Sequence, residues 1–327
     1  MSIASCLNQF GSPAESLTVR EVETREPLEN EVLIEMLAAP VNPADINVIE
    51  GKYGDLPTLP SSIGNEGVGR VLKCGKGVSL APGQMVLPMV FGTWAQEMVV
   101  PAAGVVVLPE GLDPFQAAML TVNPATAWRT THDFVPLAPG DWIVQNAANS
   151  GVGRSAIQLA KIFGWKTLNV VRRPELVDEL KALGADVVVT EETDLRKEVK
   201  ALTGGAKPKL ALNAVGGNSA LNIANTLANG GAMVTFGAMS KQPLKIPNAL
   251  LIFQNIRFCG FWLKRWRERA GQPALQEMYS ALAEHMAAGR LQTPVHATFP
   301  LARLVDAVEE ASKESRGGKV LLDLRKA

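Results

Sequence analysis

The chain has 327 residues, 47% of them hydrophobic, with 32 basic and 32 acidic side chains. This length and apolar content suffice for one large or two ordinary globular domains. The net charge of zero argues against a nucleic-acid or membrane-surface partner, and no apolar stretch reaches membrane-spanning length.

The N-terminal segment from Met1 to Gly11 carries no recognisable targeting pattern. It lacks a basic region followed by an apolar run, and it lacks an Arg-rich amphipathic pattern. We therefore expect a soluble, cytoplasmic protein. The cysteines, Cys6, Cys74 and Cys259, form no C-x-x-C pair, which is typical of buried thiols in a reducing compartment.

Residues 1–120 predict a β-rich, barrel-like or sandwich-like domain with little helix. Strand candidates at 31–37, 67–72 and 96–100 are separated by turns that contain Gly and Pro. The composition shifts near Leu120, and residues from Asn123 predict a helix.

Residues 141–163 change from a buried strand to an amphipathic helix. The apolar run from Asp141 to Ala147 predicts the strand, and apolar residues recurring from Val152 to Phe163 predict the helix. The turn between them offers backbone N–H groups and a helix N-terminus to a dinucleotide pyrophosphate. Only Gly153 of the G-x-G-x-x-G glycines is present, so an ordinary strand-to-helix turn remains an alternative.

Arg172 and Arg173 follow the next predicted strand, 167–171, about 20 residues beyond the turn. An NAD-binding chain usually carries Asp or Glu there to accept a hydrogen bond from the ribose 2′-hydroxyl. Two guanidinium groups instead favour a 2′-phosphate. The sequence therefore predicts NADP(H) rather than NAD(H), with a solvated basic turn as the alternative.

Further strands alternate with helical segments that end in glycine. They predict a doubly wound parallel sheet in an α/β domain. Beyond residue 264 we expect two helices and a terminal strand, assigned to the first domain. The further strand candidates are 186–190, 209–215, 232–236, 256–261 and, at the C-terminus, 319–324.

Several motifs carry an end-to-end resemblance to the medium-chain dehydrogenase/reductase superfamily. These are Asn42-Pro-Ala-Asp-Ile-Asn47, Gly64-Asn-Glu-Gly-Val-Gly69, Ala81-Pro-Gly-Gln-Met-Val86 and Asn149-Ser-Gly-Val-Gly153. The resemblance implies a β-rich GroES-like catalytic domain at 1–120 and 265–327. It implies a Rossmann NADP(H)-binding domain at 121–264.

Longer strings are more selective within that superfamily: 49–54, 213–217, 233–243, 250–253 and 260–263. Together they resemble the mitochondrial-type trans-2-enoyl-thioester reductases. That resemblance implies NADPH-dependent reduction of enoyl-CoA or enoyl-acyl-carrier-protein in fatty acid synthesis. The substrate would be an acyl-CoA or acyl carrier protein thioester.

The residues argue against zinc. Zinc-containing members of the superfamily place a His where this chain has Asn65. They also carry a Cys ligand ahead of the 42–47 segment and a Cys-rich lobe, and this chain has neither. The histidines, His132, His285 and His296, lie outside every motif. We expect no metal site and a reaction without a Lewis-acidic metal.

The resemblance maps the catalytic tyrosine of the family onto Tyr53. Adding hydride to the β-carbon of an enoyl thioester develops negative charge on the thioester oxygen, and the α-carbon then needs a proton. A phenol is protonated at neutral pH and can donate. Tyr53 is expected to be either the donor to the carbonyl or the proton source.

The remaining site residues follow by position. Asn42 and Asn123 would orient the nicotinamide or the substrate, although each precedes a proline and could be a turn residue. Lys319 would lie at the adenine-side phosphate or at the cleft rim, and Trp262 could equally be core. The pyrophosphate turn would comprise Asn149, Ser150, Gly151, Val152 and Gly153, and the nicotinamide side Phe236, Gly237, Ala238, Met239, Phe261, Trp262 and Leu263.

One departure from the family pattern concerns the 2′-phosphate loop. The family usually has Arg-Asp-Arg and a longer lead into the next helix, whereas this chain has Arg172-Arg173-Pro174 and is several residues shorter before Leu180. Both charges survive, so NADPH remains favoured, but the contact geometry and the strictness of cofactor choice stay open.

The sequence is also compatible with two other activities. One is a zinc-free NADPH quinone or alkenal reductase, and the other is a non-catalytic, crystallin-like NADPH-binding protein. A homodimer is expected, because the apolar strand at 256–261 would otherwise leave an exposed sheet edge, and in the family this edge pairs two subunits.

Overall fold

The computed structural model describes residues 1–314 and 316–325. The chain divides into two compact units. Unit 1 comprises Met1–Val122 together with the residues from Arg269 onward, and unit 2 comprises Asn123–Glu268. Within the described ranges, no helix has both the length and the apolar character needed to cross a membrane.

The strands follow the chain in this order: β1 Ser2–Leu7, β2 Leu17–Val22, β3 Glu31–Pro40, β4 Val68–Cys74, β5 Met85–Pro88, β6 Glu97–Pro101, β7 Val105–Val107, β8 Trp142–Gln145, β9 Lys166–Val171, β10 Val187–Thr190, β11 Leu210–Asn213, β12 Ala232–Thr235, β13 Arg257–Gly260, β14 Val295–Pro300 and β15 Lys319–Asp323.

The α-helices are α1 Pro13–Ser16, α2 Pro43–Ile49, α3 Pro114–Ala118, α4 Asn123–His132, α5 Gly151–Phe163, α6 Val177–Leu183, α7 Leu195–Leu202, α8 Gly217–Ala224, α9 Asn248–Ile252, α10 Leu263–Arg269, α11 Gln272–Ala287 and α12 Leu304–Ser312. Short 3₁₀ turns occupy Ala102–Gly104, Pro174–Leu176 and Leu301–Arg303.

Unit 2 contains a parallel sheet with the strand order β10-β9-β8-β11-β12-β13. All four residues of β8 are buried, as are all four of β11, which is typical of a parallel sheet with both faces covered. The order reverses between β8 and β11, the point at which open α/β sheets bind ligands. The predicted α/β class with a doubly wound sheet is confirmed.

Unit 1 contains a mixed sheet with the strand order β14-β15-β3-β4-β5-β7, and β6 also pairs with β3. The C-terminal strand β15 lies antiparallel to β3, with Asp323 opposite Ala38. The chain terminus therefore completes the sheet that the first hundred residues begin. Fully buried side chains such as Trp94 and Met36 fill the core against this sheet.

The C-terminal part of the chain is richer in structure than the sequence predicted. Beyond residue 264 the sequence predicted two helices and one strand, whereas the described residues add a third helix and strand β14. Strand β14 was missed because its six residues are all exposed or half-buried and lack a clear apolar alternation.

Candidate active site

The predicted cofactor residues of unit 2 lie at one edge of the parallel sheet. The turn that begins at Asn146 follows β8, and Arg172 follows β9. Phe236 and Phe261 come directly after β12 and β13. Because the carboxyl ends of parallel strands meet at the same edge, the fold brings these sequence-distant segments together.

The turn between β8 and α5 has the tight geometry that a phosphate site requires. Ala147 has a positive φ of 46°, and Ser150 caps α5 by accepting a hydrogen bond from the amide of Gly153 at 3.1 Å. A Cβ at Gly153 would lie 2.5 Å from the carbonyl oxygen of Ala148. Glycine is therefore required there, because the helix runs directly against the end of the strand.

Gly151 is the second close approach of this turn. A Cβ at Gly151 would lie 2.7 Å from Cγ of Asn123, a buried residue at the start of α4. Gly151 and Val152 lie in the first helical turn, where N–H groups have no acceptor within the helix. These amides and the positive end of the α5 dipole fit a dinucleotide pyrophosphate.

The arginine pair follows β9, which is the neighbour of β8 in the sheet. Arg172 is exposed and Arg173 is half-buried. Nη1 of Arg173 lies 3.5 Å from Oε1 of Glu175, so one local carboxylate competes for this guanidinium. The two cations at a strand end beside the glycine turn fit the 2′-phosphate of NADP(H).

Two buried asparagines organise the loop after β11, and the sequence interpretation did not identify them. Nδ2 of Asn146 donates to Oδ1 of Asn213 at 2.8 Å, and Oδ1 of Asn146 accepts from the amide of Ala214 at 2.8 Å. Oδ1 of Asn213 also accepts from the amides of Val215 and Gly216. Their position at the ends of predicted strands was the available signal.

The residues predicted to line the nicotinamide lie in the segments after β12 and β13. Gly237 approaches the β11 end closely, because a Cβ there would lie 3.0 Å from the carbonyl oxygen of Ala214. Met239 is exposed, and the ring of Trp262 lies under the cations of Lys264 and Arg265. Ala238 is exposed, Phe261 is half-buried and packs edge-on against Phe134, and Leu263 is buried at the start of α10.

Tyr53 lies in unit 1, in the loop that follows α2. It is half-buried and packs against the hydrophobic core of that unit. The N-terminus of α2 is fixed by Asp45, whose Oδ2 accepts a hydrogen bond from the amide of Asn42 at 2.8 Å. The same helix therefore connects the Asn42 motif with the tyrosine loop.

A buried polar network surrounds Asn42. Its Nδ2 donates to Oε1 of Glu66 at 2.7 Å, and its Oδ1 accepts from the ammonium group of Lys319. The other carboxylate oxygen of Glu66 accepts from Oγ1 of Thr121 at 3.0 Å and from the amide of Val122 at 2.7 Å. The orientation of the Asn42 amide is thus set by an acid on one side and a cation on the other.

Burial perturbs every ionisable group of this network. It raises the pKa of the Asp45 carboxyl to about 6, although hydrogen bonds from Asn42 and Asn65 act in the opposite direction. Burial also raises the pKa of the Glu66 carboxyl and lowers that of the Lys319 ammonium group, and the attraction between these two groups opposes both shifts.

The network gives several residues a role that the sequence did not suggest. Lys319 was predicted at a cofactor phosphate or at the cleft rim, and in the structure its ammonium group donates to Asn42. That prediction remains untested, since it concerns a bound cofactor. Glu66 and Asp45 were missed, although both stand inside the quoted motifs, because a motif does not show which of its charges is buried.

Asn65 occupies the position at which zinc-containing members carry a histidine. Its amide nitrogen and its Nδ2 both donate to Oδ1 of Asp45, at 3.0 and 2.7 Å. A carboxamide engaged in this way does not fit a zinc ligand set. Within residues 1–314 and 316–325, no group of three or more His, Cys, Asp or Glu side chains is placed to hold a metal ion.

Comparison with known proteins gives a family for each part of the chain. Residues 28–110 match the "Alcohol dehydrogenase GroES-like domain" family, and residues 151–283 match the "Zinc-binding dehydrogenase" family. The chain is 42% identical over 96% of its length to the mitochondrial enoyl-[acyl-carrier-protein] reductase of Xenopus tropicalis, covering 93% of it. It belongs to the enoyl-[acyl-carrier-protein] reductase family of the medium-chain dehydrogenase/reductase superfamily. The human member is 41% identical over 96% of this chain and 86% of its own length.

Solved structures give the same result. The Etr1p/NADP/crotonyl-CoA complex superimposes with a TM-score of 0.86 at 33% identity, covering 98% of this chain and 99% of its own. The mitochondrial 2-enoyl thioester reductase Etr1p/Etr2p heterodimer from Candida tropicalis gives 0.85 at 33% identity, with the same coverage. A quinone oxidoreductase from Pseudomonas syringae pv. Tomato DC3000 gives 0.86 at 26% identity, covering 99% of this chain and 100% of its own. The family resemblance expected from the sequence is confirmed.

The expected cytoplasmic location is wrong. The finding that overturns it is that the Xenopus tropicalis and human relatives are both named mitochondrial. The expectation rested on composition and on a missing targeting pattern in the first residues, and a missing pattern of this kind does not establish a compartment.

Proposed function

We propose that this protein reduces the C2=C3 double bond of trans-2-enoyl thioesters with NADPH, in fatty acid synthesis. Hydride goes to the β-carbon and a proton to the α-carbon, so the products are the saturated thioester and NADP⁺. The observation that carries the proposal is the pairing of a pyrophosphate turn with two arginines at neighbouring strand ends, in a chain 42% identical to an enoyl reductase.

In this proposal unit 2 holds the cofactor. NADPH supplies the hydride when bound. The turn from Asn149 to Gly153 binds the pyrophosphate through backbone amides, and Arg172 and Arg173 bind the 2′-phosphate. The segments after β12 and β13 contact the nicotinamide side, and the side chain of Asn123 packs against Gly151 of the turn. Residues 121–264 would then be the NADP(H)-binding domain.

Unit 1 supplies the groups that manage charge on the substrate. The phenol of Tyr53 donates a hydrogen bond to the thioester oxygen or delivers the proton to the α-carbon. Asn42 offers an amide whose orientation is already fixed by Glu66 and Lys319. Residues 1–120 and 265–327 would accordingly form the catalytic domain.

The decisive test follows NADPH absorbance with a short 2-enoyl-CoA, the matching enoyl-acyl-carrier-protein and a simple quinone, and repeats each assay with NADH. We expect thioester-dependent oxidation of NADPH and slow turnover of the quinone. Tyr53→Phe should lower kcat with the thioester by about 10²- to 10³-fold and affect any quinone reaction far less.

Two outcomes would overturn the proposal. Turnover of the quinone without turnover of either thioester would assign a quinone reductase, an activity for which the similar Pseudomonas syringae structure is named. Binding of NADPH without turnover of any activated alkene would assign a non-catalytic role. The two carriers tested side by side decide between CoA and acyl carrier protein.

The proposed assembly is a homodimer formed through β13. This strand is at the end of the sheet, and all four of its residues are half-buried or exposed in the single chain. The preceding residues Leu251, Ile252 and Phe253 are also exposed, with 79% of Phe253 accessible. Sedimentation at micromolar concentration should give twice the chain mass, and a monomer would refute the dimer without affecting the proposed reaction.

A further inference from the structure

Arg154 is a nearly buried arginine in the first turn of α5, one residue beyond Gly153. Only 7% of it is exposed. Arginine is rarely buried unless its guanidinium group is paired, because removing the charge from water is costly. Its burial beside the proposed pyrophosphate turn therefore depends on the partners of its guanidinium group.

The guanidinium group joins two segments of unit 2. Nε of Arg154 donates to the carbonyl oxygen of Asn149 at 3.0 Å, and Nη2 donates to Oε1 of Glu179 at 2.6 Å. Asn149 belongs to the pyrophosphate turn. Glu179 lies in the first turn of α6, which follows Arg172 and Arg173 after a single 3₁₀ turn. One side chain thus connects the proposed pyrophosphate turn with the helix that follows the proposed 2′-phosphate segment.

Apolar packing alone does not set this geometry. Ala148 of the turn, Leu176 of the 3₁₀ turn and Leu180 of α6 share one hydrophobic cluster. Such packing brings the segments together but is non-directional. The planar fork of Arg154 is directional, and a change of either partner would alter the distance between the turn and the start of α6.

We infer that Arg154 and Glu179 are positioning residues that set the distance between the pyrophosphate turn and the 2′-phosphate segment, and so strengthen discrimination for 2′-phosphorylated adenine nucleotides. The inference rests on the proposed function for its ligand, NADPH. The segment Arg172-Arg173-Pro174 is short and leads through one 3₁₀ turn into α6. The position of the two arginines therefore depends on where α6 lies, which the contact between Arg154 and Glu179 sets.

Simple electrostatics predicts the opposite effect for Glu179. Removing a carboxylate near a phosphate site should tighten phosphate binding, because it removes a repulsive charge. If Glu179 acts by positioning α6 through Arg154, its removal should weaken binding of the 2′-phosphate. Asp178 is a matched control, because it is an exposed acid in the same first turn of α6.

The test measures binding of 2′,5′-ADP and 5′-AMP to the full chain by isothermal titration calorimetry, which requires no turnover. We expect Glu179→Ala to weaken 2′,5′-ADP binding by about tenfold and to leave 5′-AMP within about twofold. Asp178→Ala should leave 2′,5′-ADP unchanged or bind it more tightly. Arg154→Gln should weaken both ligands, because it also releases the turn at Asn149, and Arg154→Lys should weaken both to a smaller extent.

Unchanged or tighter 2′,5′-ADP binding by Glu179→Ala would overturn the inference, as would equal losses for both ligands. Loss of binding in Asp178→Ala equal to that in Glu179→Ala would do the same. Wild-type protein that does not prefer 2′,5′-ADP over 5′-AMP would instead refute the NADPH assignment. Glu179 is 43% exposed in its side chain, so this variant tests the inference even where Arg154→Gln fails to fold.

Discussion

Asp45 should make the stability of the protein depend on pH. Burial raises its pKa from the ordinary 3.8 to about 6 in the folded protein, so folding favours the protonated carboxyl. The contribution of Asp45 to the free energy of unfolding is therefore complete below pH 3.8 and is lost as the pH rises through about 6. A shift of about two pKa units at ~1.36 kcal/mol each corresponds to roughly 3 kcal/mol of unfolding free energy.

Asp45→Asn removes this titration. We expect the unfolding free energy of the wild type to fall by about 2 kcal/mol, relative to that of the variant, between pH 4 and pH 7. Altered hydrogen bonds to Asn42 and Asn65 add an offset of about 1–3 kcal/mol that does not vary with pH, so the slope carries the information.

The measurement is urea unfolding of both proteins at half-unit pH steps, with Asp306→Asn as the matched control. Asp306 is a carboxylate 48% exposed in its side chain, in an ion pair with Arg303, and its replacement controls for the loss of one acidic side chain. A difference between wild type and Asp45→Asn that stays constant from pH 4 to pH 7 would refute the reasoning. It would mean that Asp45 is solvated or compensated in the folded protein.

Three further predictions concern the cofactor edge. Gly153→Ala places a Cβ 2.5 Å from the Ala148 carbonyl oxygen, so it should weaken NADPH binding and lower the free energy of unfolding by roughly 1–3 kcal/mol. Gly271→Ala is the control, because its Cβ meets no atom closer than 3.6 Å, and it should change neither quantity. Calorimetry measures the binding and thermal unfolding measures the stability. Replacing Arg172 and Arg173 together by Ala should raise the KM for NADPH at least about tenfold and leave that for NADH nearly unchanged, and an unaltered KM for NADPH would remove the 2′-phosphate assignment. Glu175→Gln should lower the KM for NADPH by about two- to threefold, because it frees Arg173 from a competing carboxylate 3.5 Å away, and a raised KM would contradict that account.

Features encoded over short stretches of chain were predictable. The change from a buried run to a helical period around Val152 predicted strand β8, helix α5 and the turn between them. The position of Arg172 and Arg173 followed from the regular length of one strand-helix-strand unit. Strand β14 was not predictable in the same way, because its exposed and half-buried residues show no clear period.

The sequence by itself determined the α/β class, the strand, turn and helix of residues 142–163, and the family, because each depends on local periodicity or on contiguous motifs. Only the tertiary structure decided which charged residues meet. Lys319 and Asn42 are 277 residues apart, and the pairing of Arg154 with Glu179 joins one helix to another. The packing of strands and helices decides which residues form such pairs, and burial then shifts the pKa values of their ionisable groups. No local sequence pattern encodes either effect.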